Sequence, residues 1–182
     1  LAYITGQAEF WSLSLKVTQD TLIPRPDSET LIESALSYFA QEPPRTILDL
    51  GTGSGCLLLA ALTEFPAATG LGIDASPAAL AVAKENAEAL ALSTRAQFQQ
   101  GDWCTGFAGH LVLILCTPPY VDASSTLGPR VPEHEPHSAL FAAENAPSAY
   151  RPPTPPPTHP PAQPRPLSPH YCPGRGSDLL PL

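Results

Sequence analysis

The chain has 182 residues, the length of about one domain, and a formal net charge of -8. Half of its prolines, 12 of 24, fall in the last 31 residues, where Arg165, Arg175 and Asp178 are the charged side chains, so two different materials meet near residue 151. The first 151 residues carry 7 Lys and Arg against 16 Asp and Glu, a balance that argues against a protein held to nucleic acid mainly through phosphate contacts. The longest apolar runs, such as 111–116, are too short to span a bilayer. The N-terminus has neither a basic segment nor a small-residue cleavage site, so it does not signal secretion. Cys56, Cys104, Cys116 and Cys172 show no paired spacing and read as free thiols of the reducing cytoplasm. The chain has no Met, so Leu1 is not an initiator and the chain is expected to be a fragment.

Residues 10–23 predict a β-hairpin. Trp11, Leu13, Leu15 and Val17 alternate with polar residues, Gln19-Asp20 is placed at the turn, and Thr21–Ile23 forms the return strand. Pro24-Arg25-Pro26 ends it, because proline cannot extend a ladder. Asp27 or Ser28 is expected to cap a helix carrying Leu31, Ile32, Ala35, Leu36 and Phe39 on one face, with Glu29 in its first turn. From Thr46 strands and helices alternate. Strands are predicted at 46–50, 69–74, 96–100 and 111–116, an apolar helix at 55–65, and a helix at 77–91 that opens on Ser76-Pro77 and turns Leu80, Ala83, Ala87, Leu90 and Ala91 inward. That order means an α/β fold with a parallel sheet and right-handed crossovers. Residues after Pro118-Pro119 read as loop with some helix near 138–150, and the Pro-rich stretch beyond Arg151 as extended, solvated backbone.

Asp49-Leu50-Gly51-Thr52-Gly53-Ser54-Gly55 joins the first of these parallel strands to its helix. Glycines at every second position let backbone approach a ligand, and the carboxyl end of a strand is the ligand crevice of an open α/β sheet. The G-x-G-x-G spacing departs from the dinucleotide fingerprint, and no Lys-Ser/Thr follows as in a Walker loop. The pattern therefore suits a ligand without a pyrophosphate. Asp74, at the end of the second strand, can accept both ribose hydroxyl protons or, more plainly, begin the turn into the next helix. Trp103 can stack on adenine with Asp102 accepting from its amine, or sit in the core. Taken in strand order, these features fit S-adenosylmethionine. His134 and His137 stand three apart without further clustered ligands, so no metal site is expected.

Over residues 1–151 the sequence resembles the HemK/PrmC family, the protein-(glutamine N5) methyltransferases of peptide chain release factors. The resemblance is carried by Ala2–Gly6 with Phe10-Trp11, Leu22–Glu29, Asp49–Gly55, Gly70–Asp74, Gly101–Trp103, Thr117-Pro118-Pro119-Tyr120, Glu135-Pro136, Ala139–Phe141 and Tyr150-Arg151. It implies a Rossmann-like, class I S-adenosylmethionine-dependent methyltransferase core over 46–151, preceded by a hairpin and linking helix over 1–45 and followed by a disordered tail over 152–182. It implies cofactor contacts at Asp49, Gly51, Thr52, Gly53, Ser54, Gly55, Asp74, Asp102, Trp103 and Thr117. Thr117, Pro118, Pro119 and Tyr120 correspond to the catalytic loop that holds the glutamine amide, and Pro24 and Arg25 to further substrate contacts. The implied partner is a release factor, met by a cytoplasmic monomer without direct nucleic-acid or membrane contact.

Three departures stand out. Thr117 replaces the Asn of the family's Asn-Pro-Pro-Tyr motif, the family's N-terminal helical domain does not precede Leu1, and the family pattern stops at Arg151. An incomplete sheet and an out-of-frame or unrelated ending are expected, with a genuine Pro-rich interaction tail as the milder reading. The rival functions are an adenine N6-methyltransferase, whose Pro-Pro loop solves the same problem for an exocyclic amine, and a non-catalytic remnant.

Overall fold

Thr46–Leu50 (β3) has one half-buried and four buried residues, because it is an inner strand covered on both faces. In the computed structural model, which describes residues 2–101, 113–117 and 136, β3 pairs in parallel with Thr69–Asp74 (β4) on one side and Leu113–Cys116 (β6) on the other. Ala96–Gln100 (β5) adds to β4, giving the order β5-β4-β3-β6 among the described residues. The crossovers β3–α3–β4 and β4–α4–β5 run through Cys56–Glu64 (α3) and Pro77–Ala89 (α4). This is the predicted α/β fold of Rossmann-like order, and its strand sequence reverses direction between β3 and β6. All of the described residues lie within the first of two units into which the chain divides, Leu1–Arg151 and Pro152–Leu182.

Side-chain alternation divides the sheet into two faces. Ile47, Leu113 and Leu115 join α3, α2 and the N-terminal hairpin in the larger core, and Leu48, Leu50 and Ile73 form a smaller cluster with Leu71, Ile114 and Cys116. Leu57 to Leu62 of α3 are all buried, since β3 and β4 lie against the helix on one side and Glu29–Tyr38 (α2) on another. Gly70 allows this close approach, since a Cβ there would press on Leu58 and Leu62 of α3, and Gly72 makes room for the loop and the next strand. A Cβ at Gly72 would stand 2.8 Å from both the Phe98 ring and the Thr52 hydroxyl. The carboxyl end of α3 is closed by Arg95, whose guanidinium donates to the carbonyls of Leu62 (2.9 Å), Phe65 (3.3 Å) and Ala68 (2.9 Å). A cation is also favoured there by the helix dipole.

The amino-terminal segment corrects the sequence reading. Ala2–Thr5 (α1) is a single helical turn, and the hairpin consists of Gln7–Phe10 (β1) and Leu13–Lys16 (β2), with its turn at Trp11-Ser12 rather than Gln19-Asp20. Both turn residues have positive φ, 52° and 59°, as a two-residue hairpin loop requires, although neither is the Asn or Gly usually found there. Tertiary bonds replace that local preference: the Trp11 amide donates to Glu29 Oε1 and its indole N–H to Glu64 Oε1, both at 2.8 Å. Thr18 and Thr21 do form a turn, but Thr21–Ile23 adds no strand. Asp27 and Ser28 lie in a 3-10 turn, Pro26–Ser28, and neither α2 nor this turn has a side-chain cap, because Ser28 is itself helical (φ -72°, ψ -14°) and Arg25 before the turn has no acceptor side chain; Glu29 reaches Trp11. In α4, Ser76 does cap, accepting from the Ala79 amide at 3.2 Å. Ala91, expected inward, is exposed with φ 56°, because the helix has already ended at Ala89. The predicted start of the last strand at 111–112, the helix near 138–150 and the tail lie outside the described residues.

Gly72→Ala is expected to cost about 1–3 kcal/mol, the usual range for overpacking a filled site. A shift of the denaturation midpoint at unchanged slope reads it directly. A variant as stable as the parent would show that Phe98 and Thr52 can move aside freely.

Candidate functional site

The register brings the carboxyl ends of all four parallel strands into one row. Gln100 pairs with Asp74, Ile73 with Leu50, and Leu50 with Cys116, so Gly51 and Thr117 leave neighbouring strand ends beside Asp74. The row lies at the reversal of strand order, where an open α/β sheet forms its ligand crevice. Thr117 is exposed there.

Between β3 and α3 the chain passes through Gly51, Gly53 and Gly55 with φ of 71°, 55° and 83°. Left-handed backbone at three of five positions explains the spacing more directly than any ligand does. Space distinguishes the three. A Cβ on Gly51 would have no neighbour within 4 Å, and one on Gly53 would touch only the Gly51 carbonyl at 4.0 Å. A Cβ on Gly55 would press on Leu59 (3.2 Å) and Ala83 (3.3 Å). The first two glycines thus border open space, and the third closes α3 against α4.

The loop is held from the adjoining strand end. The amides of Gly51 and Thr52 both donate to the Ile73 carbonyl, at 2.9 and 3.0 Å, and the Gly55 amide donates to the Thr52 carbonyl at 2.8 Å. The Asp74 carboxylate divides its oxygens: Oδ2 accepts from the Gly53 amide at 2.8 Å and Oδ1 from the Ser76 amide at 2.9 Å. The plainer sequence reading, an acid that begins the turn into α4, therefore holds. Half-buried Asp74 keeps further lone pairs on both oxygens, since a carboxylate offers about four acceptor sites.

Asp49 is 1% exposed. Its Oδ2 accepts from the Thr52 hydroxyl at 2.7 Å, whereas Oδ1 has no partner, and the equally buried Ser54 Oγ has none either. Burial pushes the Asp49 carboxyl up to about 7, Asp74 adds in the same direction, and the Thr52 bond opposes them. Burial also pushes the neighbouring Cys56 thiol up to about 12, with Asp49 adding to the rise, so this cysteine is not a nucleophile near neutral pH. Neither Cys56 nor Cys116 is in a disulfide.

The sequence reading missed Asn86, a 3% exposed residue of α4. Its Nδ2 donates to the carbonyls of Ser54 (2.9 Å) and Lys16 (3.0 Å), and its Oδ1 accepts from the Lys16 amide at 2.7 Å. The available signal was an amide beside the small apolar residues of the inward face, between Ala83 and Ala87. Pro24 and Arg25 are half-buried in the extended stretch between Thr21 and the 3-10 turn. Asp102, Trp103, Pro118, Pro119 and Tyr120 lie outside the described residues. No three His, Cys, Asp or Glu side chains among the described residues could together hold a metal ion.

Residues 42–110 match a family model described as a methyltransferase domain. The chain is 45% identical over 154 residues to the release factor glutamine methyltransferase of Caulobacter vibrioides, covering 83% of this chain and 53% of that protein. It is 42% identical over 147 residues to the protein of the same name from Escherichia coli, covering 80% and 52%. The chain is a homologue of these proteins, and the resemblance read from its motifs is borne out; it spans about half the length of the curated relatives it matches. The catalytic domain of hMettl16, solved in complex with MAT2A 3′UTR hairpin 6, has the same fold, with a TM-score of 0.58 at 19% identity over 74% of this chain and 52% of that one.

The Asp49 carboxyl has a pH signature. The native state keeps its proton to about pH 7, whereas the unfolded chain releases it above about 3.8. This group therefore lowers stability as pH rises between those values and has no further effect above them. Asp49→Asn is expected to gain on the parent by on the order of 4 kcal/mol between pH 3.8 and 8. Urea unfolding at both ends of that window checks it, and a pH-independent difference between the two proteins would refute the buried, protonated acid.

Proposed function

We propose that the Gly51–Gly55 loop and Asp74 bind S-adenosylmethionine, and that the protein transfers its methyl group to a glutamine side-chain nitrogen of a peptide chain release factor. The observation that carries this reading is the row of strand ends, where an open-sided left-handed glycine loop, a strand-ending carboxylate and Thr117 adjoin. The residues present fit the cofactor. Gly51 and Gly53 leave the space that a side chain would fill. Asp74 has acceptor capacity left for ribose hydroxyls, and Asp49, bonded to the Thr52 hydroxyl, braces the loop from behind. Asp102 and Trp103, next after β5, are assigned to the adenine on sequence grounds. The names of the relatives support the substrate, and the net charge of residues 1–151 supports protein over nucleic acid. We assign the lead-in to residues 1–45, the core to 46–151, the tail to 152–182, and the site of action to the cytoplasm, where release factors work, as a monomer.

The bound cofactor supplies an electrophilic methyl group on a sulfonium. An amide nitrogen is a poor nucleophile, its lone pair being delocalised into the carbonyl, so positioning carries most of the burden. Thr117 stands at the end of β6, next to the glycine loop, and offers one hydroxyl acceptor to an amide hydrogen. The Pro118 carbonyl is assigned to the second hydrogen, Tyr120 to packing beside the amide, and Pro24 and Arg25 to the substrate chain. With the cofactor held by the Gly51–Gly55 loop and Asp74, the sulfonium would supply its methyl to the nitrogen that Thr117 and Pro118 orient, S-adenosylhomocysteine would be the product, and the proton shed by the nitrogen would pass to water.

Two measurements test this. Asp74→Ala removes charge-assisted bonds to the loop and to the ligand, each worth about 1.5–3 kcal/mol, and is expected to weaken S-adenosylhomocysteine binding, followed by calorimetry, by about ten- to a hundredfold. Unchanged affinity would remove Asp74 from the site. Thr117→Asn, in a chain joined to the remaining segments of a relative, is expected to raise methyl transfer to a release-factor glutamine by about one to two orders of magnitude. Equal rates for Thr and Asn would show that position 117 does not limit transfer.

A further inference from the structure

Asn86 is bonded at once to a loop, a strand and its own helix. Its side chain offers two N–H donors and one carbonyl oxygen, and each has a partner outside α4. Two of those partners are the amide and carbonyl of Lys16, the last residue of β2. The third is the carbonyl of Ser54, between Gly53 and Gly55. A Lys16–Glu85 ion pair lies one residue away on the same helix, but both side chains are about half exposed and such a pair contributes little. The buried amide is the stronger link, because removing it would leave three backbone groups unpaired.

Among the described residues, Asn86 and the Lys16–Glu85 pair are the side-chain bonds between the hairpin and α4. Val17, next after β2, donates its amide to the Gly6 carbonyl at 3.0 Å, which closes the hairpin base, and the chain then runs through the Thr18–Thr21 turn to Pro24 and Arg25. The Ser54 carbonyl has the opposite setting. It belongs to a left-handed loop that borders open space at Gly51 and Gly53. Any ligand that orders this loop also orders the carbonyl that Asn86 holds.

We propose that Asn86 is a positioning residue that couples occupancy of the glycine loop to the docking of the amino-terminal hairpin, so that the lead-in to Pro24 and Arg25 is tightened when the cofactor site fills. The inference rests on the reading of the loop as a cofactor site. A plain structural amide would stabilise the fold equally with and without ligand. A coupling residue makes hairpin protection depend on ligand.

Amide hydrogen exchange on the full chain, resolved by NMR, with and without saturating S-adenosylhomocysteine, separates the two. The reporter is Val17, whose amide bonds to Gly6 and not to Asn86, and the Gly53 amide reports loop occupancy. In the parent, ligand is expected to slow exchange at both Gly53 and Val17, at Val17 by about fivefold or more, the low end of ordinary coupling between sites. In Asn86→Ala, with ligand raised to saturation, Gly53 should still be slowed and Val17 should not. Slowing at Gly53 without slowing at Val17 in the parent overturns the coupling while leaving the cofactor reading intact, and needs no variant to fold. Equal slowing at Val17 in both proteins overturns the role of Asn86. Failure of the parent to bind S-adenosylhomocysteine in calorimetry overturns the cofactor reading and the coupling with it.

Discussion

A chain with three left-handed glycines in five residues has no strong preference of its own, and the conformation of 51–55 is imposed from β4. The Ile73 carbonyl takes two loop amides, and the next residue, Asp74, takes a third through its side chain. Everything at the site follows from that hold. It aims Gly51 and Gly53 into open space, brings Gly55 against Ala83, and puts the Ser54 carbonyl within reach of α4. Because Asp74 also fixes the Ser76 amide, and Ser76 caps α4, one carboxylate sets both the loop and the start of the helix that carries Asn86. Charge-assisted bonds to backbone amides are about twice as strong as neutral ones, so a short acid at a strand end can do this where a neutral amide would do it less well.

How much of this was legible depends on how local the cause is. Strands at 46–50, 69–74 and 96–100 coincide with the sequence reading, because buried parallel strands flanked by turn residues and amphipathic helices announce themselves within a few residues. The hairpin was misplaced because its cause is not local. Trp11-Ser12 has no turn signature, and its positive φ values are supported by Glu29 and Glu64, 18 and 53 residues away. Gln19-Asp20 looked like the better turn, and a turn does exist at 18–21, but the chain beyond it has no strand partner. The shift also changes which residues reach the core: Phe10, Leu15 and Val17 are buried, whereas Trp11, now in the turn, and Leu13 are half-buried.

At the site the glycine spacing and the strand-ending acid were legible, whereas their physical roles were legible only in part. The sequence places Asp74 as a ligand-facing acid, but its first duty is to the backbone of Gly53 and Ser76. Asp49 reads as one more motif residue, and nothing in the string shows that one oxygen is buried without a partner. Asn86 is similar: an Asn in a helix is an ordinary surface residue until the strand that packs over it is known.

Asp49 connects these points energetically. An acid buried to 1% exposure and held near pH 7 lowers stability at neutral pH, and packing alone gives no reason to keep it. Strongly perturbed acids gather at functional sites, and here the cause is chiefly burial, with the Asp74 charge adding in the same direction. Asp49 sits near the end of β3 and holds the loop through the Thr52 hydroxyl. The amides of Gly51, Thr52, Gly53 and Gly55 already donate within the protein, to Ile73, Asp74 and Thr52. A phosphate held by these amides would have to displace those bonds, whereas hydroxyl groups can use the lone pairs that Asp74 keeps.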